Sequence, residues 1–187
     1  MLLDSLKDFE WYNEPRDVSF DEQGMHVVAF DGTDFWQNTN SRIYKDNGHF
    51  FFAKKNGDFV LKIKWKFRES SSFEQCGAMI RFDARNWMKI SVLNDGTKGS
   101  KLGSVVTNAG FSDLAVFNVD KDAREVWYKI KRTNKDFSVF CSLDGKKFVQ
   151  VRMFSFVNSH DEIKVGAFIC SPTNREFYAV LEQIEFA

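Results

Sequence analysis

The chain has 187 residues, and its 26 Lys and Arg balance 26 Asp and Glu, so it carries no formal net charge at neutral pH. No overall field draws it to nucleic acid or to an anionic membrane, which argues against a wholesale phosphate binder. The length suits one all-β unit with a substantial core, and residues 1–187 are expected to form a single domain.

Aromatic usage sets the secondary structure. Phe occurs 21 times, Trp five and Tyr four, against two Pro, and such side chains favour pleated, half-buried surfaces. The opening MLLDSLKDFEW has no basic region followed by an apolar run, and no apolar segment comes near the roughly 20 residues that span a bilayer. A cytoplasmic protein with no membrane partner is expected. In chain order, strands are predicted over 27–30, 49–52, 58–67, 76–82, 87–93, 104–107, 126–133, 136–143, 147–154, 163–170 and 176–186. Between them stand Asp31-Gly32-Thr33-Asp34, Lys55-Asn56-Gly57, Asn94-Asp95-Gly96 and Asp144-Gly145, whose residue types permit the positive φ of tight turns. Short strands joined in this way predict an antiparallel sandwich or jelly roll, without internal repeat, linker or low-complexity tract.

The 58–67 strand places Phe59, Leu61, Ile63, Trp65 and Phe67 on one parity and Lys62, Lys64 and Lys66 on the other. One face is core; the lysine face is solvated and discourages edge pairing, the alternative being a basic ladder for an anion. Residues 73–93 read FEQCGAMIRFDARNWMKISVL. Cys76, Ala78, Ile80 and Phe82 fall on one parity, as do Met88, Ile90 and Val92 after a polar connection at 83–86. The opposite face carries Gln75, Arg81, Trp87 and Lys89, a composition suited to holding a polar ligand. Further on, Tyr128 and Ile130 alternate with Trp127, Lys129 and Lys131. Phe59, Leu61, Ile63, Ile80, Phe82, Ile90 and Val92 are therefore expected to be buried. The three cysteines, Cys76, Cys141 and Cys170, have neither a close sequence partner nor metal-ligand spacing, so reduced, packed thiols and no zinc are expected.

A series of blocks resembles the DUF1349 family. They are Trp11-Tyr12-Asn13-Glu14-Pro15, Thr33-Asp34-Phe35-Trp36, Asp46-Asn47-Gly48-His49-Phe50, residues 73–79, Trp87-Met88-Lys89, residues 104–108, Ser112-Asp113, and Val165-Gly166 through Ser171-Pro172. The family's members are also described as regulation-of-enolase proteins with a concanavalin A-like lectin/glucanase fold. The resemblance implies two curved antiparallel sheets with one concave face, and it singles out Asp34, Trp36, His49, Gln75, Trp87, Lys89, Thr107 and Asp113. In one respect the chain departs from the pattern: an acidic residue usually follows the Lys of the Trp-x-Lys block by four positions, and here that residue is Leu93.

These candidates have alternative roles. Trp36 and Trp87 either stack on a sugar ring or pack in the core or rim. Gln75, Arg81 and Lys89 form a hydrogen-bonding floor, or Arg81 instead pairs with Asp83 or Asp34. His49, next to Phe50, Phe51 and Phe52, is an acid, base or ligand, or else a packed ring with one satisfied nitrogen. Asp34 and Asp113 bind hydroxyls or cap turns. No catalytic or metal-binding residue is assigned. A glucanase of this fold would need two facing carboxylates, which Glu182-Gln183-Ile184-Glu185 does not supply in the Glu-x-Asp-x-Glu alternation. The sequence likewise has no Gly-x-Ser-x-Gly elbow and no phosphate-binding glycine loop. The expected function is a non-enzymatic, lectin-like module that binds a carbohydrate or related polar metabolite without a cofactor. The alternatives are an interaction or regulatory module in sugar metabolism, with enolase a partner suggested by the family description, or a glycan-active enzyme.

Overall fold

Alternating burial organises the chain from its first long strand to its last. The structure, a computed structural model, describes residues 6–40, 42–68, 73–93, 100–119, 123–157 and 161–187. Its first half contains β1 (Glu10–Tyr12), β2 (Val18–Asp21), β3 (Gly24–Ala29), β4 (Phe35–Gln37), β5 (Tyr44–Asp46), β6 (His49–Lys55), β7 (Phe59–Phe67) and β8 (Gln75–Asp83). The second contains β9 (Asn86–Leu93), β10 (Lys101–Asn108), β11 (Phe111–Asn118), β12 (Glu125–Thr133), β13 (Asp136–Ser142), β14 (Val149–Ser155), β15 (Ile163–Cys170) and β16 (Phe177–Phe186). Among the described residues no helix is long and apolar enough to cross a membrane.

The long strands form two seven-stranded antiparallel sheets. The front sheet has the order β1-β6-β15-β8-β9-β10-β11 and the back sheet β14-β13-β12-β7-β16-β3-β2, while β4 and β5 pair only with each other. The period-two pattern turns one face of each sheet inward: Phe59, Leu61, Ile63 and Trp65 from β7 meet Cys76, Ala78 and Ile80 from β8 and Met88, Ile90 and Val92 from β9 in one continuous core. Phe82 differs from expectation: it lies at the margin, partly buried, with its ring edge-on to Phe156. Polar atoms that enter the core are satisfied across it. The Tyr128 hydroxyl accepts from the Val92 amide at 2.8 Å and donates to the Cys76 carbonyl at 3.3 Å, and the Trp65 indole donates to the Gly77 carbonyl at 2.9 Å. These bonds fix the registration of one sheet over the other. All three cysteines are free and buried, and burial pushes each thiol up, Cys141 to about 12.

The predicted strands are all present, most with boundaries moved by a residue or two, though β3 starts and β6 and β10 extend further from the predicted limits. Five others were not anticipated: β1, β2, β4, β5 and β11. Ser112 and Asp113 are not a turn. They lie within β11, opposite Thr107 and Val106, and the turn before them is made at Ala109 and Gly110, both with positive φ. The predicted turns at Gly32, Gly57 and Gly145 all have positive φ near +65 to +69°. Asn94-Asp95-Gly96 lies outside the described residues.

Candidate functional site

The outer face of the front sheet carries a second, smaller apolar layer. Phe50 and Phe52 of β6, Met79 of β8, Trp87 of β9, Val105 of β10, and Phe168 and Cys170 of β15 all point outward, and Phe35 of β4 closes over them. Burying such a ring contributes on the order of 1.5–3 kcal/mol, enough to hold a short hairpin in place. Gly48 permits this approach, since a Cβ there would strike the Phe35 ring. The β4–β5 hairpin and its flanks thus form a flap across part of the outer face.

Charged and polar residues of the sheet anchor that flap. Arg81 makes a bidentate pair with Asp46, at 2.7 and 2.8 Å, while the Tyr12 hydroxyl donates to Asp46 at 2.9 Å and the Tyr12 ring lies 4.5 Å from the guanidinium. Burial, followed by the bond to Asp46, pushes the Tyr12 phenol up. The Lys89 ammonium lies 2.6 Å from Asp34 Oδ1, and the same oxygen accepts from the Phe35 amide at 2.8 Å and from the Cys170 thiol at 3.6 Å. At the other end, Thr107 and Ser112 hydroxyls lie 2.7 Å apart, and the Gln37 amide donates to Ser112 at 3.0 Å. Both lysine and arginine are almost wholly enclosed, their side chains 3% and 4% exposed.

The structure therefore divides the candidate residues. Asp34, Trp36, Gln75 and Lys89 line one cleft of about 530 Å³, together with Phe73, Leu93, Val105, Leu114, Val116 and Pro172. Arg81 is outside it, and its carboxylate partner is neither Asp83 nor Asp34 but Asp46, because the flap brings β5 over β8. Trp87 is fully buried beside Phe35, with its indole donating to the Ala84 carbonyl at 3.2 Å, so it offers no free ring face. His49 is packed: Nδ1 lies 2.5 Å from the Asn13 carbonyl oxygen, the Phe30 amide points to Nε2 at 3.3 Å, and burial pulls its pKa below the usual value. Thr107 is buried in the hydroxyl pair, and Asp113 pairs with Arg152 of β14 at 2.7 Å.

The cleft has a polar floor and an apolar wall. Gln75 donates to the Phe73 carbonyl at 2.9 Å and accepts from the Ser91 hydroxyl at 3.3 Å, which fixes its amide beside the Asp34–Lys89 pair. Trp36, partly buried, is held by its indole bond to the Thr39 carbonyl at 2.9 Å and is the candidate tryptophan that reaches the cleft. Sequence reasoning missed the wall. Leu114 and Val116 come from β11, which had not been recognised as a strand, and Phe73 has the positive φ of +57° that no residue pattern announces. Leu93 also lines the cleft and adds to its apolar wall. Among the described residues, no three His, Cys, Asp or Glu side chains converge as a metal site would require.

Comparisons with known proteins agree with this architecture. The family model described as "Protein of unknown function (DUF1349)" matches residues 11–187. "Regulation of enolase protein 1" from Saccharomyces cerevisiae is 31% identical over 164 residues, covering 87% of this chain and 80% of that one. A solved structure of a functionally unknown protein from Saccharomyces cerevisiae superposes with a TM-score of 0.89 at 25% identity, over 98% of this chain and 97% of the other. The GH43 BlXynB protein from Bacillus licheniformis matches in fold, with a TM-score of 0.74 at 15% identity over 96% of this chain but 36% of its own length.

Proposed function

We propose, since this chain belongs to the DUF1349 family, that it is a non-enzymatic, lectin-like module whose cleft beside the flap binds a carbohydrate or a related polar metabolite. The observation that carries this reading is the Asp34–Lys89 pair, which lines one cleft together with Gln75 and Trp36. A pyranose offers hydroxyls on its edge and C–H groups on its faces. The Asp34 carboxylate, the more exposed partner of the pair, accepts from hydroxyls, Lys89 fixes its position, and the aromatic and aliphatic wall covers a C–H face. Such sites combine a mostly apolar lining with a few fixed polar groups, which is the composition found here. Among the described lining residues Asp34 is the one carboxylate, and glycosidic cleavage by the usual route requires two. That lining supports a reading of binding without turnover.

Calorimetric titration with neutral sugars and phosphosugars tests the proposal, on the wild type and on Trp36→Ala. Binding that weakens about fivefold in the variant, with unfolding unchanged, supports it, since a stacked ring is worth on the order of 1 kcal/mol. Equal affinity in both proteins would remove the cleft from the account.

A regulatory interaction with another protein is the second reading. The name of the yeast relative favours it, as does the exposed Phe73 ring in the cleft lining. If the wild type binds no sugar and a purified enolase forms a complex that Phe73→Asp abolishes, this second reading replaces the first.

A further inference from the structure

The sandwich has four edges, and three of them are blunted. β1 is three residues long and β2 four, ending in Asp21. β14 joins β13 through a register break between Val139 and Phe140 and carries Arg152. Short strands, bulges and charges are the usual means by which sheet edges avoid further pairing. β11 is neither short nor bulged, and its one charge, Asp113, is paired within the chain. It runs for eight residues, FSDLAVFN, in unbroken register with β10 from Lys101↔Asn118 to Asn108↔Phe111, and among the described strands it has no second ladder partner. It contains no Pro, Lys or Arg, and Phe111, Leu114, Val116 and Phe117 are all exposed.

We propose that β11 is a self-association edge, on which a second copy of this chain adds its own β11 antiparallel to continue the front sheet. The occupant follows from charge and register. The single formal charge of the strand, Asp113, is already matched by Arg152 of the same chain. Two such edges meet without repulsion, whereas a strongly acidic or basic strand would find no opposite charge. A two-fold axis perpendicular to the sheet keeps like faces together and makes the contact self-complementary. The register that sets Leu114 opposite its own copy also places Phe111 against the second copy's Phe117 and Asp113 against the second copy's Ala115. This gives two aromatic cross-strand pairs and no carboxylate pair. Leu114 and Val116 also line the cleft, so the joined sheet would set the two clefts side by side, whatever each of them binds.

Sedimentation of the full chain over a micromolar range tests this, together with Phe117→Lys, which leaves the cleft lining untouched, and Leu114→Lys. The expected result is wild-type material at twice the chain mass of 21.8 kDa and both variants folded and at the single mass. Hydrogen exchange on the wild type supplies a readout that requires no variant: amides of 111–118 should gain protection as concentration rises. A wild type that stays at single mass, a dimer that survives both lysines, or concentration-dependent protection confined to another edge would overturn the proposal.

Discussion

Between the two large sheets lies a core built mainly of apolar side chains, with Tyr128 and Trp65 spending their polar atoms on backbone groups across it. On the outer face of the front sheet the same alternation delivers Met79, Trp87 and Phe168 together with Arg81 and Lys89, and each cation meets a carboxylate from the flap. The first layer is an ordinary sandwich core. The second is a core whose lid is held by buried ion pairs, and it shows how a polar face can be consumed by the fold itself. Arg81 has little left to offer a ligand once Asp46 has taken both ends of its guanidinium. Beside the flap, at Asp34 and Trp36, the outer face opens into a cleft.

If the outer layer is a true core, Phe35→Ala should cost about 3–5 kcal/mol in urea unfolding, comparable with a large-to-small change between the sheets. A loss within the range of ordinary surface changes would mean that the flap is dispensable. Arg81→Ala comes next. It leaves Asp46 enclosed with only the Tyr12 hydroxyl, and a loss of about 3 kcal/mol is expected, at the low end for a broken buried pair because that hydroxyl remains. Replacing both partners with apolar side chains, Arg81→Met with Asp46→Leu, should recover most of it. Recovery by the double variant separates a structural anchor from a ligand contact, which unfolding of Arg81→Ala alone would not do.

A smaller effect concerns pH. Burial holds His49 below its ordinary pKa of 6.5, so as pH falls through that value the unfolded chain takes up a proton that the folded chain resists. More protons bound to the unfolded state means stability falls with falling pH from about 6.5 downward. Urea midpoints measured across this window should show that decline in the wild type and less of it in His49→Gln. A decline of equal size in both would place its origin elsewhere.

The inter-sheet core was readable because one parity of 59–67, 76–82 and 88–92 is apolar without exception, so the pattern alone fixes which side faces in. The outer layer was half readable. Parity placed Gln75, Arg81, Trp87 and Lys89 together on the outer face, yet nothing in their spacing tells whether that face is open, because the answer depends on a segment some forty residues earlier folding back over it. Asp46 lies in a Lys-Asp-Asn-Gly stretch that looks like a turn, and β4 and β5 are three residues each, too short for a period to declare itself. β11 was hidden differently. Its Ser112-Asp113 pair has turn composition, and its exposed Phe111, Leu114, Val116 and Phe117 fall on both parities, as an edge strand permits and a half-buried strand does not. The family resemblance named most residues of the cleft floor, while the wall came only from packing.

The contrast between an occupied outer face and an open cleft is tested most directly by the indole N–H resonances of Trp36 and Trp87 during titration with a sugar that binds. The account predicts that the Trp36 signal moves with ligand concentration and that the Trp87 signal, from a ring sealed beneath Phe35, stays in place. Movement of Trp87 with Trp36 unperturbed would put the ligand under the flap and contradict the division of the outer face proposed for this protein.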